Sequence, residues 1–294
     1  MVVASSGFFD GVHLGHRAVL ERLVSLSRET GLESVVVTFW PHPRNVLQQD
    51  ARTFRLLTSL EEKVSMIREL GVDRVEVLPF TKDFSRMTMR QYLEEVMKGR
   101  FGVSGMLLGY DNRVGCDCGS VEDVVRTAGE IGLAAEIVPM LPAMAGYAVS
   151  STRIRAAIES GDVSGASSML GYDYSLKGVV VAGNRLGRKI GFPTANMRLY
   201  DPLKAVPSNG VYEVSVETLG RRFSGMCNIG VRPTVSMEAV RTVETNIFGF
   251  DEDIYGLDIK VSFIRRIRDE RRFNSLESLK KQLEYDKSLC ENRL

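Results

Sequence analysis

The sequence predicts a doubly wound α/β domain on a parallel sheet, followed by a small antiparallel β-barrel domain with a C-terminal helix. Three features lead there. Over the first ~170 residues, short apolar runs alternate with amphipathic helical stretches, the pattern of a parallel sheet covered on both faces. From about Tyr172, strand-like segments follow one another with Gly, Pro and Asn turns between them. One amphipathic stretch, "SLESLKKQLEYDKSL", then ends the chain.

In chain order, the strands of the first domain are "VVASSG", "ESVVVTFW", "DRVEVLPF", "SGMLLGY" and "AAEIVPM". Each is short and mostly apolar, as a strand buried on both faces must be. After His16, the apolar residues Val19, Leu23 and Leu26 recur at i, i+4 and i+7 and give the first helix its buried face. "SLEEKVSMIREL" and "MRQYLEEVMKGRF" repeat that rule, and Ser59 with Glu62 has the spacing of a capping box. A helix over "SSTRIRAAIESGD" and a shorter one through Leu170 close the domain. The barrel strands are expected in "YSLKGVVVAG", "GVYEVSVETLG", "RRFSGMCNIG", "RTVETNIFGF" and "LDIKVSFIRRI". The domains are therefore placed at 1–170 and 171–294.

The 294 residues can bury a large core. Thirty-eight Lys and Arg offset 37 Asp and Glu, a formal net charge of +1, so no global field draws the chain to nucleic acid or to a membrane. No apolar run approaches the ~18 residues of a membrane span, and "MVVASSGFFDG" lacks the basic and apolar regions of a secretion signal. Cys116, Cys118, Cys227 and Cys290 form no CxxC pair. Reduced thiols in the cytoplasm are expected, in a monomer or weak homo-oligomer acting on small molecules.

Two histidines sit in "GFFDGVHLGH" at the first strand-to-helix turn, and the third, His42, lies in "TFWPHPR". Gly7 and Gly11 permit a tight turn and close approach of a ligand to the backbone. His16 opens the following helix, whose first N–H groups and dipole favour an anion, and His13 can point at the same phosphate. Both would stabilise charge developing on a transferring phosphorus centre. A metal site of His13, His16, His42 and Asp10 is the competing reading, weakened by the missing i, i+4 histidine pair and by Gly15. The spacing resembles the HxGH signature of nucleotidyltransferases, whose second signature near the domain end appears as "SSTRIR". Its hydroxyls at a helix N-terminus, with Arg153 and Arg155, make a triphosphate cradle; alone it would read as an ordinary capped helix.

The barrel half has no GxxxxGK[ST] loop. "GRKIGFPTAN" offers flexibility and positive charge at Gly187, Arg188, Lys189 and Gly191, with Thr194 and Asn196 as hard oxygen ligands suited to Mg²⁺. In "VETNIFGF", Glu244 interrupts an apolar strand and can act as general base for an alcohol attacking a phosphate. A lone strand Glu is otherwise a solvated residue.

Eight ordered blocks resemble the prokaryotic bifunctional riboflavin kinase/FAD synthetases: "GFFDGVHLGH", "TFWPHPR", "SSTRIRAAIESGD", "LGRKIGFPTAN", "NGVYEVSV", "NIGVRPT", "VETNIFGFDEDIYG" and "RRFNSLESLKKQLEYD". The resemblance implies an N-terminal FMN adenylyltransferase of nucleotidyltransferase fold and a C-terminal riboflavin kinase barrel, with ATP and Mg²⁺ consumed and riboflavin, FMN and FAD as substrates and products. It implies Glu244, His13 and His16 as catalytic residues and Thr194 and Asn196 as metal ligands. For nucleotide binding it implies Gly7, Phe9, Asp10, Gly11, Gly15, Asp111, Ser151, Thr152, Arg153, Arg155, Gly187, Arg188, Gly191 and Pro193. Flavin-pocket residues are expected on the loops Pro41–Arg44 and Glu270–Phe273.

The match has departures. The family usually reads close to "GxDFRFGxxxxG" where this chain has "GYDNRVGCDCGS": Asp111, Arg113 and Gly115 remain, but Asn112 and Val114 replace aromatics. Asn246 stands where the kinase block usually has His. An alternative reading therefore keeps only the kinase active. A further alternative assigns nucleic-acid binding to the five arginines of "RRIRDERR", a run interrupted by two acids.

Overall fold

The computed structural model describes residues 1–47, 54–140, 149–183, 186–232 and 240–291. Pro233 and Thr234 of "NIGVRPT" and the side chain of Lys189 lie outside the described residues. The chain divides into two compact units, Met1–Ser151 and Thr152–Leu294.

The first unit carries a five-stranded parallel sheet in the order β3-β2-β1-β4-β5. Its strands are β1 (Val2–Ser6), β2 (Glu33–Trp40), β3 (Arg74–Pro79), β4 (Val103–Gly109) and β5 (Ala134–Val138). β1 is buried at every residue, as the centre of a sheet covered on both sides requires. Val3, Val36 and Leu107 pack on one face against Leu20 and Leu23 of α1 (Leu14–Thr30) and Ile67 of α3 (Leu60–Glu69); α2 (Pro43–Leu47) precedes α3. Ala4, Val35, Val37 and Met106 pack on the other face against α4, which starts at Met89–Gln91 and continues in π form over Tyr92–Arg100. The predicted Ser59–Glu62 capping box is present on α3. The strand order reverses between β1 and β4, so a crevice opens beyond their carboxyl ends, the usual ligand position in such sheets.

α5 (Val121–Glu130) is absent from the sequence expectation, although its Ser120–Asp123 capping box and buried Val121, Val124 and Ala128 are legible there. It covers the same face as α4.

The second unit is a closed barrel in the order β10-β7-β6-β11-β8-β9. Its strands are β6 (Ser175–Val181), β7 (Ala195–Leu199), β8 (Gly210–Thr218), β9 (Arg221–Arg232), β10 (Val240–Ile247) and β11 (Asp258–Arg268). The sequence expects five of these; β7 is the addition, closing the barrel antiparallel to β6 and β10. α8 (Leu186–Lys189) lies in the loop before β7, and α9 (Leu276–Glu291) is the C-terminal helix.

The packing boundary falls at residue 151, earlier than the expected 170. α6 (Ser151–Ser160) and α7 (Val163–Leu170) fold with the barrel. Ser164 Oγ donates to Ile264 O on β11 at 3.0 Å, and Ser208 N donates to Ile158 O at 3.3 Å. The change of sequence rhythm near Tyr172 therefore marks a change of secondary structure; the packing changes earlier.

Candidate active sites

In the first unit, β1 hands over to α1 through a turn in which Phe9, Gly11 and Val12 have φ of 52°, 82° and 37°. Phe9 and Val12 hold this left-handed backbone as buried non-glycine residues, the kind of strain that collects at functional sites. The Asp10 carboxylate keeps it in place. It accepts from Leu57 N at 3.0 and 3.2 Å, from Thr58 N at 3.1 Å and from Thr58 Oγ1 at 3.3 Å. Its backbone carbonyl accepts from Ser151 Oγ at 2.9 Å. Asp10, expected to contact nucleotide, is thus engaged in shaping the loop, and Ser151 braces the same turn.

His13 caps α1, its Nδ1 accepting from His16 N at 3.3 Å, which puts the proton of the neutral ring on Nε2. The two imidazoles stack with centroids 3.6 Å apart at 16°, and Phe9 meets His16 edge-on at 5.3 Å. A Cβ at Gly15 would stand 3.2 Å from the His13 ring, so glycine makes room for it. Gly7 does the same for the Phe9 ring. Burial first, then His13 and Lys63, push His16 well below the ordinary imidazole range, so it is neutral at pH 7. His16 Nδ1 is buried without a hydrogen-bond partner among the described residues.

Lys63 is a buried charge beside this loop that the sequence reading missed. It sits on α3 only 1% exposed, its Nζ donating to Phe8 O at 3.0 Å and Phe39 O at 3.3 Å and lying 4.2 Å over the Phe8 ring. Burial lowers it to about 8, against the raising influence of Asp10.

Two cavities share this loop. One of about 170 Å³ is lined by Phe9, His13, Gly15, His16 and Asp111. The other, about 290 Å³, has the aromatic walls Phe39, Phe80, Phe84 and Tyr92, with Pro43 at its edge. Ser6, Gly7, Phe8, Asn112 and Arg113 line both. The departures from the family pattern are built into this wall. Asn112 Nδ2 donates to Ser6 O at 2.9 Å, Val114 joins the core at 7% exposure, and Gly115 has φ of 79° with its Cβ position 2.2 Å from Met89 N.

His42 does not join the other histidines. Its Nδ1 accepts from Arg44 N at 3.1 Å and its ring packs edge-on against Phe8 at 4.0 Å, which corrects the three-histidine metal reading. Among the described residues no group of three or more His, Cys, Asp or Glu is arranged to hold a metal ion. Thr152, Arg153 and Arg155 lie on α6 in the second unit, Thr152 and Arg153 exposed and Arg155 buried.

In the second unit, Glu244 lies on β10, opposite Asn196 of β7 on one side and Asn228 of β9 on the other. Directly opposed antiparallel residues share a sheet face, so the carboxylate stands between two amides. A cavity of about 300 Å³ holds Glu244, Asn228, Asn246 and Gly187 among apolar walls from Phe192, Met226, Phe273 and Leu283. A second, about 340 Å³, is lined by Arg188, Pro193, Phe250, Asp251 and Tyr255. Thr194 lines both. Gly187 closes the loop between them: its carbonyl accepts from Phe192 N at 2.8 Å, and a Cβ there would meet Phe192 O at 2.1 Å. Gly191, with φ of 85°, serves that turn and lines neither cavity. Asn196 packs on Gly183, where a Cβ would stand 2.3 Å from its Nδ2. Of the expected flavin-loop residues, Glu270, Arg271 and Phe273 line the Glu244 cavity.

Three of the five arginines of "RRIRDERR" are held by partners within the second unit, while Arg271 and Arg272 are exposed. Arg265 pairs with Glu213 at 2.6 Å, Arg266 donates to Asn209 O at 2.6 Å, and Arg268 pairs with the fully buried Asp286 at 2.7 Å. These contacts take Arg265, Arg266 and Arg268 out of a continuous solvated basic face.

Comparison with known proteins finds a family match in each half of the chain. The family model described as FAD synthetase matches residues 1–153, and that described as riboflavin kinase matches residues 170–294. The bifunctional riboflavin kinase/FMN adenylyltransferase of Bacillus subtilis is 37% identical over 97% of this chain and 90% of its own length. That of Escherichia coli K12 is 36% identical with the same coverage. A crystal structure described as a macrolide-efflux protein from Streptococcus pneumoniae is 32% identical with a TM-score of 0.91, covering 99% of this chain and 94% of that one. Among the described residues of this chain no helix is long and apolar enough to cross a membrane. The chain belongs to the bifunctional riboflavin kinase/FMN adenylyltransferase family.

Proposed function

We propose that the second unit transfers the γ-phosphoryl group of ATP to the terminal ribityl hydroxyl of riboflavin, giving FMN. The first unit then transfers AMP from a second ATP to FMN, giving FAD and pyrophosphate. The observation that carries this is Glu244, a strand carboxylate in an apolar cavity that meets a second, polar cavity at Thr194.

In the kinase step Glu244 accepts the proton of the attacking hydroxyl, with Asn196 and Asn228 opposite it on the flanking strands. Riboflavin occupies the apolar cavity, its ring against Phe192, Met226 and Phe273, and ATP the cavity of Arg188, Pro193 and Tyr255. The hydroxyl of Thr194 and the amide oxygen of Asn196 are hard donors beside that junction, a set that fits Mg²⁺ completed by phosphate oxygens and water. When bound, Mg²⁺ supplies charge neutralisation on the phosphates.

The adenylyl step needs no base, because the FMN phosphate is already an anion. Catalysis there is positioning and charge stabilisation. His13 and His16, at the start of α1, face the smaller cavity and hold the α-phosphate, with Asp111 at its rim. The flavin lies in the aromatic cavity, and Phe8 and Arg113 connect the two reactants. Ser151 holds the turn that carries the histidines through the Asp10 carbonyl. The free thiols at Cys116 and Cys118 fit work in the cytoplasm, as a monomer or weak homo-oligomer.

Purified protein given riboflavin, ATP and Mg²⁺ yields FMN and then FAD by chromatography. Failure to form either product sinks the reading, and FMN accumulating without FAD restricts it to the kinase.

A further inference from the structure

Asn246 lies two residues beyond Glu244 on β10 and is 6% exposed. Its Nδ2 donates to Pro193 O at 2.7 Å. This bond sits where the β7–β10 ladder stops. Backbone pairing runs through Val243↔Met197, Glu244↔Asn196 and Thr245↔Ala195 and goes no further. The next position along would set Asn246 against Thr194, but the residue before Thr194 is a proline, which has no N–H to extend a ladder. The Asn246 amide takes over where the backbone cannot and holds the Pro193 carbonyl.

Thr194 follows directly and lines both cavities of the barrel, while Asn246 lines the Glu244 cavity. On β9, Gly225, paired with Ile247, leaves no room for adjustment: a Cβ there would stand 2.6 Å from Asn246 O. The strand on one side and the hydrogen bond on the other thus set the height of Thr194 relative to Glu244.

We propose that Asn246 is a positioning residue for phosphoryl transfer: its side-chain amide, through Pro193 O, holds Thr194 in the wall shared by the two cavities, in register with Glu244. This rests on the assignment of those cavities to riboflavin and ATP. What the site requires at 246 is a side-chain N–H donor within reach of Pro193 O, a requirement an imidazole can also meet. Asparagine in this position therefore keeps the kinase function.

The test is steady-state riboflavin phosphorylation by the full chain in wild type, Asn246→Asp, Asn246→Ala and Asn246→His, with FMN adenylylation by the same samples as reference. Asn246→Asp keeps the shape but replaces the donor with an acceptor facing a carbonyl. Its kcat for FMN formation falls about 10- to 100-fold, the scale of a small misplacement of reacting groups, while KM for riboflavin moves less than about threefold. Asn246→Ala falls similarly, and Asn246→His recovers to within about threefold of wild type because the donor returns. FAD formation from supplied FMN is unchanged in all three. Wild-type kcat in Asn246→Ala overturns the proposal, as does an Asn246→His variant no better than alanine. If the aspartate variant fails to fold, the alanine and histidine pair decides. A wild type that makes no FMN overturns the kinase assignment itself, a different result from either.

Discussion

The imidazole rings of His13 and His16 lie face to face, 3.6 Å between centroids, with His13 also capping the helix that carries His16. Two cations cannot share that geometry at low cost, and burial adds to the pressure, so His16 stays neutral well below its ordinary value of 6.5. An unfolded chain protonates this imidazole near the ordinary value. Between the native and unfolded values the unfolded state binds more protons, so stability is complete above about pH 6.5 and is lost as the pH falls. The stability of the first unit, followed by calorimetry, drops as the pH falls from about 6.5 to about 5.5, by at most about 1.4 kcal/mol per pH unit. His16→Gln removes much of that slope. A wild-type melt that is flat over this range contradicts the burial-driven shift.

The separation of the two chemistries gives the next expectation. Glu244→Gln keeps the strand pairing with Asn196 and Asn228 but cannot take a proton. FMN formation falls by about 10² to 10⁴, the usual contribution of a positioned base. FAD formation from supplied FMN stays at the wild-type rate, and His13→Ala gives the mirror result. Parallel assays on one preparation measure both, and a joint loss would show that one site performs both reactions.

Much of this was legible in the sequence, and the parts that were not have a common cause. Period-two and period-3.6 patterns are local, so the parallel sheet, the barrel and the histidine turn could be read from neighbouring residues. β7 escaped because its five residues bury only Met197 and its strand character comes from β6 and β10. Asp10 looked like a ligand residue because its partners, Leu57 and Thr58, lie 47 and 48 positions away. Lys63 reads as one more solvated charge in "SLEEKVSMIREL" until the carbonyls of Phe8 and Phe39 are seen to meet it. The division in packing was hidden for the same reason: α7 looks like the end of an α/β domain, yet its hydrogen bond goes to β11.

The C-terminal helix is tied to the barrel by one buried ion pair. Arg268 Nε and Nη2 reach the Asp286 carboxylate at 2.9 and 2.7 Å, and Gln282 Nε2 donates to it at 2.8 Å. Asp286 is fully buried, so Asp286→Ala leaves a guanidinium without its counter-charge and costs about 3 to 5 kcal/mol of barrel stability in urea unfolding. Arg268 also lines the Glu244 cavity, so KM for riboflavin rises with the same substitution. A loss under about 1 kcal/mol would mean the helix is held chiefly by Leu283 and Cys290 packing.

Lys63 fixes the wall shared by the two cavities of the first unit, since Phe8 lines both and Lys63 holds its carbonyl and covers its ring. Lys63→Met preserves the apolar stem and deletes the ammonium, leaving the Phe8 and Phe39 carbonyls without this donor. Each unsatisfied buried group costs about 1 to 3 kcal/mol, partly offset because a buried charge is also removed. The larger effect is on geometry. FAD formation falls about tenfold or more through kcat as Phe8 shifts, while FMN formation in the same sample is unaffected. Kinetics of both reactions across an ATP series separate this from weakened nucleotide binding. An unchanged kcat with a raised KM for ATP would place Lys63 in binding rather than in holding Phe8.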